Sequence, residues 1–445
     1  MESDLVTCDT SRLFYRYLIP SIGGTLVTSI YSFVDTIAVG QACGPEGTAA
    51  IAVINPIFAL ACFFGLLTGV GGSVEISRLR GAGDNQEARG FFTVSIAMLL
   101  SAAAVLWLLC LLFLPALLRF SGADEVLLPY AMAYTRPLVL VFPLLALNSY
   151  LGAAVRSDEN PDLVLRSVIL GGVFNIFGDW FFVFPLGMGM LGAGLATSMG
   201  IVIHSLALLS HFRTRDKGTS SLVPVRASRL KAKAAKVTAS GTAASLPDVS
   251  LVIITILMNN QAMRYGTRDD LAVLGVIVTI SFLFQHIFSG IGQAALPIVS
   301  ANLGGGKTER VRESFRLLLF WAFLLGALST ALCVLFPEAI LRLFMDTTES
   351  VMERGPSLTA LYSLSFLLLS VNTNIVLFLE AVQRPYPALA LSTARALLLS
   401  GVLLVILPPV LGAEGICWAM TGAEALTAVF ALPYALKLVK NRLPA

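Results

Sequence analysis

Charge is what this sequence lacks. Only 13% of its 445 residues are Asp, Glu, Lys or Arg, against 56% hydrophobic residues and a mean hydropathy of +0.83. A water-solvated domain carries about twice that charged fraction, so most of this surface must be solvated by lipid. Histidine is scarcer still: His204, His211 and His286 stand far apart, in no metal-ligand spacing and beside no nucleophile, which argues against a membrane-embedded enzyme. The six cysteines, Cys8, Cys43, Cys62, Cys110, Cys333 and Cys417, make neither a metal quartet nor a disulfide framework. A net charge of +3 without a basic stripe excludes nucleic acid as a partner, and no motif calls for a cofactor. The first apolar run has no small-residue cleavage pattern, so it is expected to be kept as a helix.

Long apolar runs are present in abundance. Crossing a hydrocarbon core takes about 20 helical residues, and twelve runs qualify. In the first half they cover roughly 13–40, 48–74, 91–118, 126–155, 163–185 and 189–212; in the second, 243–265, 271–299, 315–337, 356–382, 387–411 and 413–436. The expected fold is all-α and integral to the membrane, with an N-terminal six-helix lobe over 1–212, a basic cytoplasmic linker over 213–246 and a C-terminal six-helix lobe over 247–445. Basic residues are retained on the cytoplasmic side of a membrane. Counting Arg384 and Arg395 as loop residues after the tenth run, 24 of the 30 Lys and Arg fall on one side when both termini are cytoplasmic. The linker alone carries eight, and is read as resting on anionic headgroups.

The halves echo each other. Arg78-Leu-Arg-Gly-Ala-Gly-Asp84, followed by Arg89 and Phe92, matches Ala301-Asn-Leu-Gly-Gly-Gly-Lys307, followed by Arg312 and Phe315; Asn148 and Pro161 match Asn374 and Pro387. With an even number of helices per half the repeat is parallel, its axis along the membrane normal, and two lobes are expected to face a central cavity.

Ionisable groups inside a span are costly and by default face a cavity or a partner. In the first half Asp35, Asp179 and Thr197 lie about five, six and eight residues from the outer ends of their helices, hence roughly 8–12 Å deep. Asn175 precedes Asp179 by four residues and shares its helix face. Two carboxylates, an amide oxygen and a hydroxyl at one level suit either a small hard cation such as sodium or a proton held between carboxyl groups. A satisfied hydrogen-bonded knot is the rival reading, but two carboxylates without a basic residue at their depth leave negative charge for a cation to compensate. In the second half Glu424 sits mid-helix, and Glu380 is read as interfacial. Amides at Asn259, Asn260, Gln285, Gln293, Asn302, Asn372 and Asn374 accompany Met258, Phe282, Phe284 and Phe288. They could simply pack the helices together, or wall a substrate cavity formed by Asn259, Met258, Phe282, Gln285, Asn374 and Glu424. Pro20 removes a backbone hydrogen bond and should bend the first helix. Gly65, Gly69, Gly71 and Gly72 suit close approach by the second.

The run Val34-Asp35-Thr-Ile-Ala-Val-Gly40, the Gly81-Ala-Gly turn, Asn175-Ile-Phe-Gly-Asp179, Gly192-Ala-Gly-Leu-Ala-Thr197, the stretch 259–266 and the stretch 297–304 together resemble the multidrug and toxic compound extrusion (MATE) family, chiefly its bacterial multidrug-exporter and DinF-like branches. The resemblance runs in order along nearly the whole chain. It implies a monomeric, multi-pass inner-membrane antiporter that expels organic cations in exchange for protons or sodium. It also implies a cation site at Asp35, Asn175, Asp179 and Thr197, with the helix bend at Pro20. Branches with carboxylates in the seventh and tenth helices are not matched, since Asn259, Asn260, Asn372 and Asn374 stand there instead. A lipid-linked-saccharide flippase, the nearest rival, would want cavity cations to hold a pyrophosphate, and a channel would not need two lobes meeting at buried carboxylates.

Overall fold

The computed structural model describes residues 4–121, 123, 125–214, 220, 222–344 and 349–441. Arg215, Lys217 and Arg442, counted among the cytoplasmic basic residues, lie outside them. Twelve long helices run in order: α1 (Thr10–Gly44), α2 (Val53–Gly81), α3 (Asn85–Phe120), α4 (Leu127–Ser157), α5 (Pro161–Val183), α6 (Gly189–Leu209), α7 (Leu230–Tyr265), α8 (Arg268–Gly304), α9 (Thr308–Leu335), α10 (Glu349–Ala381), α11 (Pro385–Leu411) and α12 (Ala413–Asn441). Among the described residues eleven are long and apolar enough to cross a membrane. The remaining expected crossing, 243–265, is the C-terminal part of α7, where the side chains at 246–249 are outside the description. Large apolar residues such as Leu112 and Phe113 on α3, Phe320 and Phe323 on α9, and Val402 and Ile406 on α11 point outward, as lipid-solvated helices require.

The chain divides into two compact units, one of residues 1–8 and 19–245, the other of 9–18 and 246–445. The first has a core around Phe92, Leu99, Leu138, Phe142, Tyr150 and Ala193. The second is centred on Phe288, Phe366, Leu404, Ile416 and Cys417. One division falls beside Pro20, but the backbone of α1 stays helical there; its break with α2 is at Gly44, whose φ of 68° suits a residue without a Cβ.

The interval expected as a linker is helical from Leu230 onward. It enters the first unit because small residues let two backbones meet: Gly71 of α2 lies against the Val237 carbonyl, and Gly241 against that of Leu67. Lys233 adds an ion pair to Glu87 at 3.1 Å. The polar composition of the interval hid this helix, which meets α2 at Gly241 and Val237.

Turns repeat as the helices do. Gly83 and Gly306 take positive φ in equivalent turns, and Glu159 and Gln383 take positive φ two residues before Pro161 and Pro385, which open α5 and α11. The structural partner of Pro161 is therefore Pro385, two residues earlier than the match to Pro387. At the ends of α2 and α4, Arg80 Nη1 donates to Asp158 Oδ1 at 2.9 Å while Arg80 Nη2 meets Glu159 at 3.2 Å. His211 Nε2 (2.9 Å) and the Ser220 hydroxyl (2.7 Å) both reach Asp158 Oδ2.

Candidate functional site

Four helices of the first unit bring polar side chains to one buried point: α1 supplies Asp35, α4 Tyr134, α5 Asn175 and Asp179, and α6 Thr197. Glycines let them converge. A Cβ on Gly194 would sit against the Tyr134 carbonyl, and one on Gly178 would come within 2.8 Å of the Ala196 Cβ, so α6 lies almost backbone to backbone on α4 and α5. From Asp179 to Val183 helix α5 widens into a π-helical turn, and Asp179 opens it. Such turns change the direction of the side chains they carry and recur at functional sites.

The hydrogen bonds run one way. Asn175 Nδ2 donates to the Thr197 hydroxyl at 3.2 Å, the Thr197 and Tyr134 hydroxyls lie 3.2 Å apart, and Tyr134 donates to Asp35 Oδ2 at 2.8 Å. Because Tyr134 has one hydrogen and gives it to Asp35, the single Thr197 hydrogen serves either Tyr134 or Asp35 Oδ1. Thr197 also approaches Asp35 Oδ1 at 3.5 Å. The chain ends there. Asn175 Oδ1 and both oxygens of Asp179 are buried and accept no hydrogen bond among the described residues. The neighbour acting on Asp179 is the Asp35 carboxyl, itself an acceptor, and two such groups attract only with a proton or a cation between them. The site is therefore short of donors. Buried acceptors left unmade cost about 1–3 kcal/mol each, and a hard cation bound by oxygen atoms would satisfy them.

Asp35, Asn175, Asp179 and Thr197 are thus brought together. Tyr134 joins them unforeseen; it is a buried hydroxyl about 10 Å along α4 from Leu127, and a tyrosine in an apolar run carries no charge to mark it.

The second unit holds a cavity of about 100 Å³ bordered by Met258, Phe282, Gln285, Tyr362, Arg395 and Glu424, among others. Of the residues expected there, Asn259 is exposed away from it. Asn374 is turned into the packing, its Nδ2 donating to the carbonyls of Ser370 (2.8 Å) and Phe288 (3.2 Å). Arg395 is not a loop residue. It lies ten residues into α11, about 15 Å from Pro385, on a second π-helical turn, Ala394–Leu399. Its Nη1 donates to Glu424 Oε1 at 3.0 Å, and Asn372 Nδ2 donates to Glu424 Oε2 at 2.7 Å. Glu380, one residue from the end of α10, is wholly buried in the packing, its carboxyl with no hydrogen-bond partner among the described residues. This end of α10 is enclosed by packing that an apolar run cannot reveal.

Comparison with known proteins accords with this geometry. Residues 20–181 and 245–406 each match the MatE family, in two stretches of equal length that reproduce the internal repeat. A "Multidrug export protein MepA" from Staphylococcus haemolyticus is 24% identical over 432 residues, covering 97% of this chain and 94% of the relative. Among solved structures, a multidrug resistance MATE family transporter in an outward-facing conformation superposes with a TM-score of 0.91 at 21% identity, covering 99% of this chain and 98% of that one. A MATE protein in its straight conformation gives 0.90 at 22% identity, with 98% of each chain covered.

Proposed function

Since the chain belongs to the MatE family of multi-pass membrane transporters, we propose that it exports drug-like organic cations across the cell membrane in exchange for protons or sodium ions. The observation that carries the coupling is the surplus of buried acceptors at Asn175 and Asp179, beside the Asp35 carboxyl. A proton or a sodium ion entering between the two carboxyl groups supplies the missing positive charge. Asp35 then no longer needs the whole of the Tyr134 hydrogen bond, and the hold of α4 on α1 loosens. Because α1 contains Pro20, where one backbone hydrogen bond is already absent, loosening at Asp35 lets this helix change shape at small cost. Ion binding thus biases a two-state element, which an alternating-access exchanger requires. The relatives named as multidrug exporters support the substrate class.

Proteoliposomes containing the full chain test this reading. Ethidium should leave the cytoplasmic side when an inward proton or sodium gradient is imposed, and Asp35→Asn should abolish the effect. Imposing the gradients separately identifies the ion. Leakage that ignores both gradients, or full activity in Asp35→Asn, overturns the mechanism.

A further inference from the structure

The two polar clusters of this protein are unbalanced in opposite senses. In the first unit acceptors lack donors. In the second, Glu424 is already served at both oxygens, Oε1 by Arg395 and Oε2 by Asn372. Arg395 is not: of its five N–H donors one goes to Glu424, and Nε is buried with no acceptor. Asn372 Oδ1 also lacks a partner, but Asn372 does not border the cavity. What the cavity wall offers a ligand is therefore an arginine of which only Nη1 is committed to Glu424. Arginine at mid-span is expensive to keep. A purely structural pair needs no arginine held on a π-helical turn beside an open cavity, and well-packed apolar residues often replace a buried ion pair without loss.

The rest of the wall narrows the ligand. Met258, Phe282, Tyr362 and Met420 give sulfur and aromatic faces, while Ser281 and Gln285 add neutral polar groups. A volume of about 100 Å³ is somewhat below the ~150 Å³ of an engineered cavity that accepts benzene. One aromatic ring fits this space with modest adjustment of the wall.

We propose that this cavity of the second unit binds an aryl carboxylate head, anchored by Arg395, so that the preferred substrates are amphoteric aromatic compounds carrying a carboxylate rather than simple cations. This rests on the exporter reading and specifies its substrate. Glu424 is then a positioning residue that holds the guanidinium at the cavity wall until a ligand carboxylate shares it. A simple cation would have to displace Arg395 from Glu424 and leave the guanidinium unpaired.

A matched pair of dyes tests this. A free-acid rhodamine and its methyl ester share one xanthylium cation and differ only in whether the phenyl ring carries a carboxylate. Fluorescence-polarisation titration of the purified full chain in detergent should show the acid bound about tenfold or more tighter than the ester, the scale of one charge-assisted hydrogen bond. In Arg395→Gln the ratio should fall to about one. In Arg395→Lys, which keeps the charge and loses the fork, it should be intermediate. In Glu424→Gln, which releases the guanidinium, it should persist or widen, whereas a merely structural ion pair would make the Arg395 and Glu424 variants alike. Equal or tighter binding of the ester by the unmodified protein overturns the proposal, as does a ratio that survives Arg395→Gln. Ethidium export by the same preparation separates the two levels: export without acid preference sinks this proposal alone, and no gradient-driven export sinks the reading beneath it.

Discussion

Asp179→Asn places two N–H donors in a site that holds too many acceptors. It removes one carboxylate from a pair that nothing among the described residues neutralises, so it should raise the thermal stability of the ion-free protein, by about 1–3 kcal/mol if one orphaned acceptor is satisfied. It should also end ion-driven export. A thermal-shift assay in detergent beside the proteoliposome assay checks both, and a destabilised Asp179→Asn would show that the carboxylate is held by groups other than Asp35. Tyr134→Phe tests the donor chain from its other end. Removing the hydroxyl strips Asp35 Oδ2 of its 2.8 Å donor, with an expected loss of about 1–3 kcal/mol. Its effect should fall mainly on coupling, read as export that continues after the gradient is collapsed. The carboxylates of this site were legible because lipid makes charge conspicuous in an apolar run. Tyr134 was not, since a tyrosine inside a span is equally at home in packing or at an interface, and only its hydrogen bonds distinguish it.

Among elements, the two π-helical turns matter most. Each lies in a helix opened by proline, α5 at Pro161 and α11 at Pro385, and each carries an ionisable side chain, Asp179 in one and Arg395 in the other. The extra residue in the turn rotates the rest of the helix relative to a regular one, which is why simple helical spacing could not put Arg395 beside Glu424. Helix α6 approaches α4 at Gly194, where a methyl group would meet the Tyr134 carbonyl. Gly194→Ala should therefore push the helices apart and lengthen the contact between Tyr134 and Thr197. The expected result is a stability loss of about 1–3 kcal/mol, as for other overpacked sites, with export falling in parallel; unchanged melting would mean that α6 shifts freely. Helix existence was readable from apolar length alone. Helix α7 was readable only in its C-terminal part, because its start at Leu230 is lined by lysine and alanine and is held by glycine contacts with α2 that leave no hydrophobic period.

At the scale of the whole molecule, each compact unit borrows from the other half of the sequence: residues 9–18, which include the start of α1, belong with the second unit, and 230–245 of α7 with the first. Domain limits drawn at apolar boundaries follow the repeat, whereas the packed units follow contact, and the two schemes differ by these segments. The connection near the first unit is secured by Asp158, which serves Arg80, His211 and Ser220 together. Asp158→Asn would leave Arg80 only Glu159 as a charged partner among the described residues. Breaking such a buried pair costs about 3–5 kcal/mol, so this variant should melt well below the unmodified protein while keeping its ion dependence, because the cluster is remote in sequence and in contacts from Asp35. Loss of ion dependence at unchanged stability would contradict that separation.

The pairing of Arg395 with Glu424 also has an electrical meaning. A cavity whose fixed charges cancel adds nothing to the charge that crosses the membrane field, so the voltage sensitivity of a transport cycle must come from Asp35, Asp179 and the travelling ligands. Exchange of one monovalent ion for one simple cation is then electroneutral. Exchange for a zwitterion moves one net positive charge inward, and each such turnover gains about 2.3 kcal/mol per 100 mV of membrane potential. Current recorded across a supported bilayer would distinguish the two cargoes even where their concentrations could not be measured.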